Sequence, residues 1–373
     1  MSRLVEMLVA VLLAAWVLAA GGCSSGSVSN TDDGGEEVDA AAGDDGGPVE
    51  DGGSDPGPAD DGGGSGQDAD PGPGDLGSGD GDGGGSQVPV LGGCRLFPPS
   101  NMWNTPIDDL EVHPLSADYI ASIGADTYVH PDFGTTWQGA PNGIPYDIVP
   151  DDQPLVAVSF EYADESDRGP YPIPADAHIE GGPDGDGDRH VLILRQGSCI
   201  LYELYNAWPQ QDGSWQAGSG AIWHLDRNEQ RPAGWTSADA AGLAILPGLV
   251  RWEEVYQQGQ INHAIRVTLE QIQRAYIRPA SHSDGRCGSD PGCPPMGLRL
   301  RLKASFDESV FPQPLQVIMR AMKRYGLVVA DTGGDMYISG VPDERWDDDV
   351  LHQLHQLTAD NFEAVYTGDP IPY

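Results

Sequence analysis

Apolar and polar positions are most strongly organised between Asp188 and Asn206, which reads D-R-H-V-L-I-L-R-Q-G-S-C-I-L-Y-E-L-Y-N. Two runs dense in β-branched, aliphatic and aromatic residues flank Arg195-Gln196-Gly197-Ser198, so the pattern predicts a β-hairpin with a glycine-containing turn. A turn centred on Gln196-Gly197 pairs Leu194 with Cys199, Leu192 with Leu201, His190 with Glu203 and Asp188 with Tyr205. Opposed residues share a face, so the apolar pairs lie near the turn and Asp, His, Glu and Tyr gather at the open end.

Strand-like alternation recurs in Pro154 to Tyr162, in Ala221 to Asp226, in Gly248 to Trp252 and in Ile261 to Thr268. In Gly297 to Ser305, G-L-R-L-R-L-K-A-S, the leucines face a core and Arg299, Arg301 and Lys303 face away. Helices are expected at Ser116 to Ile123, at Trp235 to Ala244 behind a Thr236 or Ser237 cap, at Pro314 to Tyr325 before Gly326, and from about Asp347 to Leu357. The expected fold is therefore mainly β, an antiparallel, jelly-roll-like β-sandwich with a few peripheral helices, its last 60 or so residues α+β. Residues 88 to 373 form one such domain.

The N-terminal stretch differs in kind. Residues 1 to 22 combine Arg3, an apolar run from Met7 to Ala20 and small residues, the organisation of an export signal. Leu18-Ala19-Ala20-Gly21-Gly22-Cys23 resembles the lipobox of bacterial lipoproteins, which implies cleavage before Cys23, lipidation of that cysteine and a place in the cell envelope. Residues 23 to 87 are nearly all Gly, Asp, Ser, Pro and Ala, too apolar-poor to fold. A linker of that length gives a root-mean-square reach of roughly 40–50 Å. Membrane contact is expected through the lipid anchor alone.

Charge narrows the partners. The chain carries −39; the leader is balanced, Arg3 against Glu6, and the linker holds seventeen acidic residues and no basic one, which leaves −22 on residues 88 to 373. A surface that acidic repels nucleic acid. Cys94, Cys199, Cys287 and Cys293 in an exported chain predict two disulfides, Cys94–Cys199 and Cys287–Cys293.

Residues 88 to 373 contain no G-x-S-x-G elbow, phosphate loop or H-E-x-x-H helix, so carboxylate, histidine and tyrosine chemistry remains. That suits a monomeric domain acting on a polysaccharide or other glycan. Glu203 is the first-choice acid–base carboxylate, held by His190, with Asp226 or Asp188 as the second. Tyr205 and His263 are further catalytic candidates, Trp215 and Trp235 stacking platforms, and Arg299 the cation for an acidic sugar. A lyase would draw its base from His190 or Tyr205. A binding module without catalysis is the alternative. Asp184, Asp186 and Asp188 have the alternate spacing of a calcium loop.

Overall fold

The computed structural model describes residues 88–373; the leader, Cys23 and the linker to residue 87 lie outside them. Ten strands build the two main sheets: β1 (His130–Asp132), β2 (Tyr146–Val149), β3 (Val191–Arg195), β4 (Ile200–Tyr205), β5 (Ser219–His224), β6 (Ile265–Leu269), β7 (Arg299–Leu302), β8 (Leu327–Thr332), β9 (Tyr337–Ser339) and β10 (Phe362–Val365). One sheet has the order β5-β4-β3-β2, the other β10-β7-β8-β6-β9-β1. Both are mixed rather than antiparallel, because β2 runs parallel to β3, β8 to β6 and β1 to β9. Each parallel pair is joined by a long connection, as parallel geometry requires.

The β3–β4 hairpin forms with a register two residues from the expected one. Arg195 opposes Ile200, Leu194 opposes Leu201 and Leu192 opposes Glu203, so Gln196–Cys199 make a four-residue turn. Gly197 at φ +92° and Cys199 at φ +51° supply its left-handed positions, and Asp151 accepts from the Ser198 amide at 3.0 Å and from its hydroxyl at 2.7 Å. Cys199 is thereby free of the ladder and bonds Cys94. A two-residue shift keeps every residue on its own face. It removes Glu203 from His190, which instead lies across from Tyr205 with rings 5.8 Å apart.

β3 is buried on both faces. Leu192 and Leu194 join the main core, which also takes up β6, β7 and β8, while Val191 and Ile193 join a smaller core roofed by Val158–Phe160 and Trp215–Ala217. Trp215 is buried in that smaller core, so it is not a stacking platform. Gln313–Arg324 forms a helix that packs Leu315, Ile318, Met319 and Met322 into the main core and ends before Gly326 at φ +73°. The helix expected at Trp235 to Ala244 is absent. Ser237 Oγ accepts from the Asp239 amide and donates to the Leu243 carbonyl, turns that compete with helical pairing.

Both expected disulfides are present, Cys94–Cys199 spanning 105 residues and Cys287–Cys293 spanning 6. Loop-closure entropy makes the first worth roughly twice the second. Replacing Cys94 and Cys199 together by serine should therefore lower the unfolding midpoint about twice as far as replacing Cys287 and Cys293, read by calorimetry on the two variants.

Candidate functional site

A cavity of about 440 Å³ opens where β4, β5 and β8 meet the loop after β5; Asp188, Tyr205, Asp239, His282, Asp284 and Asp331 help to line it. Its floor is a charge cluster built on Arg266 of β6. The guanidinium grips Asp239 with two bonds, at 2.9 and 2.7 Å, reaches Asp331 Oδ2 at 2.9 Å and donates to Ser339 Oγ at 2.7 Å. Asp239 is wholly buried, whereas the Asp331 side chain keeps 19 % of its exposure. Asp331 ends the apolar run of β8, and the Ala241 amide bonds the Ala330 carbonyl, which lays the Asp239 loop beside it.

Burial raises the Asp331 carboxyl well above the usual carboxylate range; the Asp239 charge and a hydrogen bond to Asp239 add to this, against Arg266 and His190. Two carboxyl groups crowded on one guanidinium thus favour a proton on Asp331. Asp132 of β1 stands at the same cluster. Desolvation and the charges of Glu180 and Asp188 push its carboxyl up, with Arg266 opposing.

His190 lies beneath. Its Nδ1 meets Glu180 Oε2 at 2.6 Å and its Nε2 meets the Ala238 carbonyl at 3.0 Å; both partners are acceptors, so the ring is an imidazolium. Burial lowers its proton affinity, but Glu180, by charge and hydrogen bond, outweighs this and the pKa rises to about 9; Glu180 is correspondingly lowered. The folded pKa of His190 exceeds its unfolded value near 6.5. Its stabilisation is therefore complete below pH 6.5 and lost as pH rises through about 9, on the order of 3 kcal/mol. Denaturant midpoints measured from pH 6.5 to 9.5 should fall accordingly, and the fall should be absent in His190→Gln.

The structure separates the remaining sequence candidates from this cavity. Glu203 is fully buried and accepts from the Ile245 and Leu246 amides at 2.9 Å and from Trp223 Nε1 at 2.9 Å. It caps the turn Leu246–Gly248. His263 is equally buried, bonded to Glu254 Oε2 at 3.2 Å and to the Ala264 carbonyl at 2.7 Å. Asp226 is exposed beside Arg227. Trp235 is half-buried under Arg231. Arg299 and Arg301 are buried away from it, Arg299 at a different cavity and Arg301 paired with Glu363 at 2.6 Å. Of the sequence candidates, Asp188 and Tyr205 line the cavity, and His190 supports it from below.

In the loop of Asp184, Asp186 and Asp188 the neighbouring Arg189 meets the backbone carbonyls. It donates through one terminal nitrogen to the carbonyls of Gly182, Pro183 and Gly185, with its guanidinium 3.6 Å from the centre of the Trp208 ring. The three aspartates are exposed, and among the described residues no group of three or more His, Cys, Asp or Glu is arranged to hold a metal ion.

Asp239, Arg266, Asp331, Glu180 and His282 were not sequence candidates. Arg266 sits within I-R-V and Asp331 closes L-V-V-A-D. Charges within otherwise apolar strands must find opposite partners, and that was the available signal. Comparison with known proteins finds no matching family model, no similar curated protein and no similar solved structure. Among the described residues no helix is long and apolar enough to cross a membrane.

Proposed function

We propose that the domain hydrolyses a neutral or basic glycan by carboxyl acid–base chemistry, with Asp331 as proton donor. The observation that carries this reading is the Asp239–Arg266–Asp331 cluster at the floor of a cavity large enough for a sugar ring. Asp331 gives its proton to the departing glycosidic oxygen. Asp188, which has no hydrogen bond or ion pair from its side chain among the described residues, takes a proton from the water that attacks the anomeric carbon. The carbon–oxygen bond to the leaving sugar breaks as the bond to water forms.

Charge argues for hydrolysis over lyase chemistry. Glu165, Asp188, Asp239, Asp284 and Asp331 line the cavity against one lining cation, Arg286, and Arg266 is committed to its own partners. A uronate would meet repulsion there. We also read the two sheets facing a shared core as a sandwich, and the chain as held at the bacterial cell envelope through a lipidated Cys23. The test is release of reducing ends by the full-length protein from neutral glucans, chitosan and polygalacturonate. Cleavage of either of the first two supports the reading; retention of glycan without cleavage makes the domain a binding module, and cleavage of polygalacturonate alone rejects the charge argument.

A further inference from the structure

A second cavity, of about 330 Å³, shares no lining residue with the first and has the opposite character. Arg299, Arg278 and Thr367 line it, with Met102, Ile107 and Leu110 as an apolar wall. Arg299 is only 4 % exposed, yet among the described residues neither it nor Arg278 has an ion-pair partner. On a domain this acidic, two unpaired arginines at one cavity are unexpected.

The partners of Arg299 are neutral. One terminal nitrogen donates to the Met102 carbonyl at 3.0 Å, and the other to the carbonyls of Thr105 and Tyr325. Among the described residues the Arg278 side chain reaches the Gln230 side-chain oxygen alone, at 3.3 Å. Glu229, the acidic residue of the lining, is engaged by Arg227 at 2.6 Å. Arg299 Nε and Thr367 Oγ1 are both buried without a hydrogen-bond partner. Burial alone pushes the Arg299 guanidinium down to about 10, the mark of a cation with no counter-charge nearby. Buried donors and charges left unsatisfied in this way call for a ligand or ion to complete them.

We propose that this cavity binds a small organic carboxylate, held between Arg299 and Arg278 with its carbon skeleton against Met102, Ile107 and Leu110. A planar monoanion suits the few donors and the apolar wall; a phosphate dianion would require more donors than the lining offers. Because the two cavities share no residue, the site stands whether or not the first one is catalytic.

Thermal unfolding of the full-length protein tests it, titrated with sodium glucuronate, sodium acetate, glucose and sodium phosphate at constant ionic strength. A ligand of the native state raises Tm saturably. Glucuronate and acetate should do so and glucose should not, with Arg278→Ala weakening the apparent Kd about tenfold, as loss of one charged contact does. Arg299→Gln should abolish binding; if that variant fails to fold, Arg278→Ala and Thr367→Val decide, each expected to weaken it. No saturable rise from either acid, or a rise unchanged in Arg278→Ala, overturns the proposal. Phosphate binding more tightly than glucuronate overturns the ligand class.

Discussion

Asp331→Asn is expected to lower turnover of the cleaved glycan by about 10²–10⁴-fold, the usual contribution of a positioned general acid. KM should change little, because the amide retains the shape of the carboxyl and can still accept from Arg266 and donate to Asp239. The pH profile carries the same signature. Only the protonated carboxyl donates, so wild-type activity should fall on the alkaline side as Asp331 ionises, above the usual carboxylate range. Wild-type stability should fall in the same direction. A carboxyl whose folded pKa is raised stabilises fully below its unfolded pKa and loses that contribution as pH rises through the folded value. Asn does not ionise, so at alkaline pH the inactive variant should melt above the wild type, measured by calorimetry alongside the rate. A variant that retains full turnover, or that loses turnover only by unfolding, removes Asp331 from the chemistry.

The hairpin and the site show where local pattern stops being informative. Two apolar runs around Gly197 suffice to place β3 and β4, and an even register shift leaves their faces unchanged. The shift leaves Cys199 in the turn, where its bond to Cys94 crosses 105 residues, a constraint that turn propensity does not register. The amphipathic stripe of Gln313–Arg324 is likewise legible, since Leu315, Ile318, Met319 and Met322 all fall at helical spacing. Parallel pairing is not: β6 and β8 are neighbours through a connection of more than fifty residues, and nothing in their sequences specifies the partner. The same separation hides the acid cluster, whose members Asp239, Arg266 and Asp331 come from a loop and two strands and have no motif spacing. Asp239 in S-A-D-A-A-G reads locally as the opening of a helix, whereas Arg266 claims its carboxylate for the floor of the cavity. Glu203 reads locally as an active carboxylate because polar residues on half-exposed strands face solvent; on a sheet covered on both sides that inference fails.

Glu203→Ala should therefore destabilise the domain rather than silence it. The substitution leaves the Ile245 amide, the Leu246 amide and Trp223 Nε1 without an acceptor in a dry interior. Each buried donor so orphaned costs about 1–3 kcal/mol, and the emptied volume adds to that, for a total on the order of 5 kcal/mol. For a domain of this size that corresponds to a Tm lower by about 8 °C. Burial pushes Glu203 up to about 7 against the pull of those same donors, so its own pH dependence has a definite sign. The wild type is most stable, with respect to this group, below the unfolded pKa near 4.5, and loses that contribution as pH rises through about 7. Alanine does not titrate, so the gap between variant and wild type should be widest near pH 5 and narrower at pH 8, read from denaturant midpoints at both. Any residual activity of the folded fraction should equal the wild-type rate per folded molecule. A folded, stable and inactive Glu203→Ala protein would return the catalytic role to Glu203 and take it from Asp331.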